Sequence, residues 1–117
     1  MIEVVVTDEL TDWYTGLTSG DSEAVYERVE LLKRKGLALG DPFTSAIKGA
    51  AFALREVKVQ SGGRPIRILY AFDPLRQAVL LLGGDKTGDK RFYEREVPRA
   101  GKIWDAYLRE TGQKKKT

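Results

Sequence analysis

Arg64-Pro65-Ile66-Arg67-Ile68-Leu69-Tyr70-Ala71-Phe72, a turn at Asp73-Pro74, Ala78-Val79-Leu80-Leu81-Leu82-Gly83-Gly84, then Asp85-Lys86-Thr87-Gly88-Asp89-Lys90-Arg91-Phe92-Tyr93: this stretch decides the fold. Its two apolar runs, separated by an Asp-Pro turn, read as a pair of antiparallel strands. Their far end opens into a loop carrying Lys86, Lys90, Arg91 and Tyr93. Arg64 and Arg67 lie on or beside the first strand. A sheet edge dressed with cations and one phenol suits an RNA backbone.

Upstream, Leu54–Val59 alternates as a third strand, and the glycines at 62 and 63 turn it into the pair. Short loops imply an antiparallel meander, with the β-branched segment Ile2–Val6 joining at one edge. Thr7 or Asp8 can N-cap a helix, since a side-chain oxygen there accepts from otherwise orphaned backbone donors. Leu10, Trp13, Tyr14 and Leu17 follow at helical spacing, and that helix is expected to end near Gly20. Asp21-Ser22 restarts the chain into a second helix with Val25, Val29 and Leu32 on one stripe. It closes at Lys33-Arg34-Lys35-Gly36, where cations complement the helix dipole. Residues 36–50 read as loop. A last helix is expected from about Pro98 to Arg109, because proline is welcome in a first turn. The fold class is α+β: two N-terminal helices on a four-stranded, largely antiparallel sheet, with a C-terminal helix.

A chain of 117 residues supports one core. Residues 1–111 read as that single domain and 112–117 as a basic flexible tail. No apolar run reaches the roughly 20 residues of a membrane span, so a cytoplasmic protein without membrane contact is expected. Cysteine and histidine are both absent, which removes thiolate nucleophiles, histidine-based triads and histidine-rich metal sites. Asp85 and Asp89 are two acids in a cation-rich loop and make a poor Mg²⁺ cage, so no metal and no cofactor is expected. The net charge of +3 is unevenly spread. Residues 1–47 hold four basic and nine acidic residues, a net −5, whereas residues 48–117 hold sixteen and eight, a net +8. A basic half within one small domain points to a polyanionic partner.

The order strand, two helices, meander, loop and helix resembles the RelE/HigB toxin superfamily. The strings Leu54-Arg55-Glu56-Val57-Lys58, Arg67-Ile68-Leu69-Tyr70-Ala71-Phe72, Leu80-Leu81-Leu82-Gly83-Gly84-Asp85-Lys86 and Phe92-Tyr93 are similar to its short phage-associated HigB-like branch. That resemblance implies a toxin of a type II toxin–antitoxin module: a metal-independent endoribonuclease that cuts mRNA on the ribosome. It also implies a cognate antitoxin with a helix-turn-helix DNA-binding domain. The ParE branch shares the fold and arrests DNA gyrase without cutting RNA, so fold alone does not choose between activities. A non-enzymatic nucleic-acid-binding regulator is the third reading.

Metal-free RNA cleavage must deprotonate a ribose 2′-OH, stabilise a phosphorane and protonate the 5′-oxygen. Arg67 matches the arginine that opens the family's Arg-x-x-Tyr strand and is the candidate phosphate clamp. Lys86 matches the basic residue closing the last strand and would neutralise developing charge. Tyr93 would stack on a base or move a proton; acting as a base requires Lys86, Lys90 and Arg91 to lower its pKa. These three are the catalytic candidates. Lys58, Arg64 and Lys90 are the RNA-binding candidates, gripping phosphates without reading sequence. Glu56 shares a strand face with Lys58 and is either a proton acceptor or, preferably, its ion-pair partner. All six cations and phenol residues are expected on the sheet face opposite the helical hairpin.

Overall fold

The computed structural model describes residues 1–114. Lys115, Lys116 and Thr117, half of the expected tail, lie outside the described residues. The elements are β1 (Val4–Val6), α1 (Asp8–Thr15), α2 (Ser19–Lys35), β2 (Thr44–Ala46), β3 (Arg55–Ser61), β4 (Arg64–Phe72), β5 (Ala78–Asp85) and α3 (Phe92–Glu110). A single 3₁₀ turn, Gly36–Ala38, follows α2. Thr7 caps α1 by accepting from the Leu10 amide, and Thr18 caps α2 by accepting from Asp21. The restart therefore falls a few residues before Asp21. Helix α3 begins at Phe92, so Pro98 is inside the helix and not in its first turn. Its missing N–H leaves the Glu94 carbonyl without an intrahelical donor.

The strands form one five-stranded sheet in the order β1-β5-β4-β3-β2. The meander is antiparallel, and β1 joins β5 in parallel at one edge. The fifth strand, β2, corrects the four expected: Thr44–Ala46 pairs antiparallel with Arg55–Val57 at the other edge. Helices cover both faces. Leu10, Val25 and Leu32 of the hairpin pack on Val57, Val59, Ile66, Ile68 and Tyr70. Phe92, Ala100, Ile103, Trp104 and Leu108 of α3 pack on Leu69, Ala71, Val79 and Leu81. The face opposite the hairpin is thus partly roofed by α3, leaving only its β5–α3 end for polar side chains.

Strand β5 carries a bulge. Leu69 pairs with Leu82 but Tyr70 pairs with Leu80, so Leu81 is the extra residue. Leu81 and Leu82 both pack on the α3 side. Beyond them the alternation resumes in the opposite sense: Gly83 faces Trp13 of α1 and Gly84 faces Phe92 of α3. A Cβ on Gly83 would lie 2.4 Å from the Trp13 ring, and one on Gly84 would lie 2.7 Å from Phe92. Gly83→Ala is accordingly expected to cost about 1–3 kcal/mol by overpacking. Urea unfolding monitored by tryptophan fluorescence measures it, and an unchanged midpoint would refute the close approach.

Candidate active site

Strand β3 places Glu56 and Lys58 on the α3 face, alternating with Val57 and Val59, which face the helical hairpin. Cross-strand pairing puts Arg67 directly opposite Lys58. Two like charges opposed across a ladder are destabilising unless an anion lies near. That anion is Glu56. Its Oε1 accepts the Tyr93 phenolic O–H at 2.5 Å and stands 3.4 Å from Arg67 Nε. Its Oε2 accepts from Ser45 Oγ at 3.2 Å. Both the Glu56 and Arg67 side chains are nearly buried, at 10% and 13% exposure, so their charges are poorly screened by water.

Arg67 Nη1 donates to the Ile66 carbonyl at 3.0 Å, which fixes the guanidinium plane. Its Nε has no aligned acceptor although it is buried. Its ionic contact with Glu56 Oε1, 3.4 Å away, therefore carries the compensation for burying that donor. Lys86 Nζ lies over the Tyr93 ring, 5.2 Å from its centroid, a cation–π contact. The bulge in β5 gives Lys86 this face, because each residue after Leu81 is shifted by one step of the alternation.

The phenol of Tyr93 is pushed up to about 12, first by burial and then by the Glu56 carboxylate that accepts its hydrogen bond. The lowering by cationic neighbours that a role as base requires is not found, since burial and the adjoining carboxylate act in the opposite direction. Tyr93 therefore keeps its proton at neutral pH and is suited to donate one. Phe92 beside it is buried, its ring edge-on to Tyr93 with centroids 5.2 Å apart.

Four of the singled-out side chains, Lys58, Arg67, Lys86 and Tyr93, share this end of the α3 face. Lys58 pairs with Asp41 at 3.4 Å, not with Glu56. Lys90 is exposed in the loop before α3. Arg64 is on the opposite face. Its Nη2 contacts Asp21 of α2 at 2.5 Å and its Nη1 contacts Asp85 at 2.9 Å. Ser61 also donates to Asp21, and Asp85 accepts from the backbone and hydroxyl of Thr87. Arg64 thus staples the helical hairpin to the sheet and anchors the loop that presents Lys86. Glu56, weighed from the sequence as a proton acceptor or as the partner of Lys58, meets Tyr93 and Arg67 instead, and Ser45 is the neighbour that the sequence did not single out.

Arg64 and Ser61 hold the Asp21 carboxyl below its usual value, and Thr87 and Arg64 do the same for Asp85. A carboxyl depressed in the folded state contributes stability above its unfolded pKa near 4, lost as pH falls through the folded value. Arg64→Ala is expected to lower the melting temperature most at neutral pH. The difference from wild type should close below about pH 4. A constant difference from pH 7 to pH 3 would contradict the staple.

A mixed sheet clad on both faces, with a carboxylate, a guanidinium and a phenol gathered at one end, defines a small α+β protein. Residues 12–105 match the family of phage-derived Gp49-like proteins (DUF891). The chain is 37% identical over 106 residues to "Putative toxin HigB3" of Mycobacterium tuberculosis (strain ATCC 25618 / H37Rv), covering 90% of this chain and 92% of the relative. It is 33% identical over 104 residues to "Putative toxin HigB2" of the same organism, covering 86% of this chain and 52% of that longer relative. This chain belongs to the phage-derived Gp49-like family, in its HigB-like toxin branch. No helix among the described residues is long and apolar enough to cross a membrane.

Proposed function

We propose that this protein is the toxin of a toxin–antitoxin module, and that it cuts mRNA on the translating ribosome at the Glu56–Arg67–Tyr93 cluster. The observation that carries this reading is the convergence of a phenol and a guanidinium on one buried carboxylate oxygen. The names of its relatives support the toxin assignment and, with it, a cognate antitoxin as partner.

The three groups divide the chemistry among them. Glu56 takes the proton from the ribose 2′-OH as the 2′-oxygen attacks phosphorus. Arg67 and Lys86 face the negative charge that grows on the phosphorane oxygens. As the bond from phosphorus to the 5′-oxygen breaks, Tyr93 turns its O–H to that oxygen and gives up the proton. The proton held on Glu56 then returns to the phenolate across their hydrogen bond, and both groups regain their starting forms. The products are a 2′,3′-cyclic phosphate and a 5′-hydroxyl. Lys58 and Lys90 grip the flanking backbone. Arg64 acts at a distance by fixing the loop of Lys86.

Catalysis here depends on positioning, because the chain has no histidine to serve as a base near neutral pH. The ribosome supplies the in-line geometry. Cell-free translation with mapped mRNA ends tests the reading. Cleavage is expected within translated codons, with little cutting of the same RNA without ribosomes. Equal cleavage of free RNA would overturn the ribosome requirement. Intact mRNA together with arrested gyrase supercoiling would favour the non-nucleolytic alternative.

A further inference from the structure

Tyr93 borders a cavity of about 300 Å³ completed by Lys48, Gly49, Glu94, Val97 and Pro98. It lies between the loop after β2 and the first turns of α3. Gly49, Val97 and Pro98 also line a larger cavity of about 660 Å³ that runs on past Phe52 to Trp104. The two form one trough beginning at the phenol, and each is of the size that accepts small organic ligands, on the order of 300–1,000 Å³. Lys86 covers one face of the Tyr93 ring and does not line the trough, so the trough meets the ring from another side.

The near end of the trough has the features a nucleobase requires. Val97 and Pro98 give an apolar wall and Tyr93 an aromatic one, against which any base can stack. Gly49 has φ +93° and open space where a side chain would be, so no side chain narrows the trough there. Glu94 is exposed and can accept from an exocyclic amine, as carboxylates do from cytosine N4. Lys48 is exposed at the rim, where a phosphate would pass. An apolar protein side chain would also fit such walls. The trough nevertheless shares Tyr93 with the proposed site and has Lys48 in its lining, which favours a nucleotide.

We propose that this trough is a base subsite, receiving the nucleobase next to the scissile phosphate and favouring bases with an exocyclic amine over uracil. The proposal rests on the nuclease reading and adds a specificity element to it. Glu94 reads the base, Val97 and Pro98 wall it, and Lys48 holds the adjoining phosphate.

The test compares wild type with Val97→Trp, Lys48→Glu and Glu94→Ala in ribosome-programmed cleavage across all codons, with melting curves as the folding control. Val97→Trp, which fills the trough, is expected to reduce cleavage at least about ten-fold or move the cleavage positions. Lys48 is exposed on a loop, so Lys48→Glu tests the site should the tryptophan variant fail to fold. Glu94→Ala is expected to raise the share of cuts beside uracil at least about three-fold. Folded variants with an unchanged cleavage map would overturn the subsite while leaving the nuclease reading intact. An unchanged map with loss of neutralisation by antitoxin would make the trough a protein-docking surface instead. If wild type leaves mRNA intact, the nuclease reading fails. The trough is then judged by chemical-shift mapping with a 2′-O-methyl trinucleotide. Perturbation at Lys48, Gly49 and Val97 supports it, and shifts confined elsewhere, or none, overturn it.

Discussion

Glu56→Gln is expected to lower mRNA cleavage by roughly 10²–10⁴-fold, the usual contribution of a positioned acid–base group, with the fold retained. Glutamine keeps the size of the side chain and can still accept from Tyr93, so the core around Leu69 and Phe92 need not move. It cannot take a proton from a 2′-OH. The change also removes the carboxylate beside Arg67, leaving its charge for an RNA phosphate to meet, while Lys58 keeps its pairing with Asp41. Binding of RNA should therefore survive while turnover does not. End mapping in cell-free translation gives the first quantity and competition with wild type on programmed ribosomes gives the second. Cleavage within three-fold of wild type would remove Glu56 from the chemistry. Tyr93, pushed up to about 12, should add no ionisation to the rate profile at neutral pH.

Arg67→Ala is expected to have two separable effects. Loss of a donor aimed at a developing oxyanion typically costs about 10²–10³-fold in rate. The substitution also leaves Glu56 buried beside no counter-charge, which typically destabilises by about 3–5 kcal/mol. A fall in activity alone would then be ambiguous. The double variant Arg67→Ala/Glu56→Gln resolves it, since removing both charges should recover most of the lost stability and none of the cleavage. Arg67→Lys is an intermediate case, keeping charge but losing the planar fork already fixed on the Ile66 carbonyl. If Arg67→Ala cuts as wild type does, the phosphate clamp must be assigned elsewhere.

Most of the architecture was legible because its signals are periodic. Val57 and Val59, Ile66 and Ile68, and the stripe through Val25 and Leu32 each mark a buried face by spacing alone. Thr44–Ala46 carries no such signal: three small residues between Pro42 and Gly49 show no alternation, and only pairing with β3 makes them a strand. The start of α3 was hidden by Pro98, which reads as a first-turn residue but lies inside the helix. Lys58 and Arg67 could be placed on one face by reading the strands in steps of two. The same rule separates Arg64 from Arg67, three residues apart, and applied strictly it predicts the opposite faces found. Glu56 was visible only as a neighbour of Lys58. Ser45 offered nothing in the sequence, because its role depends on an edge strand that the sequence does not announce. The raised pKa of Tyr93 likewise follows from burial under the tertiary fold and then from a contact with a residue 37 positions away.

The extra residue at Leu81 makes the site depend on counting as well as on chemistry. Asp85 reaches Arg64 on one side of the sheet while Lys86 reaches Tyr93 on the other, and both arrangements require the alternation to have slipped once. Removing the extra residue itself would restore regular pleating and leave both outcomes in place, because every residue after it already lies on the face that a regular strand would then give it. Removing one residue between the bulge and Asp85 while the bulge persists would exchange them: the lysine would be delivered to the helical hairpin and the aspartate to the phenol. No individual contact would have been mutated, yet a cation would replace an anion in each place. Point substitutions in β5 can be absorbed one at a time, but the spacing from the bulge to Lys86 behaves as a reading frame.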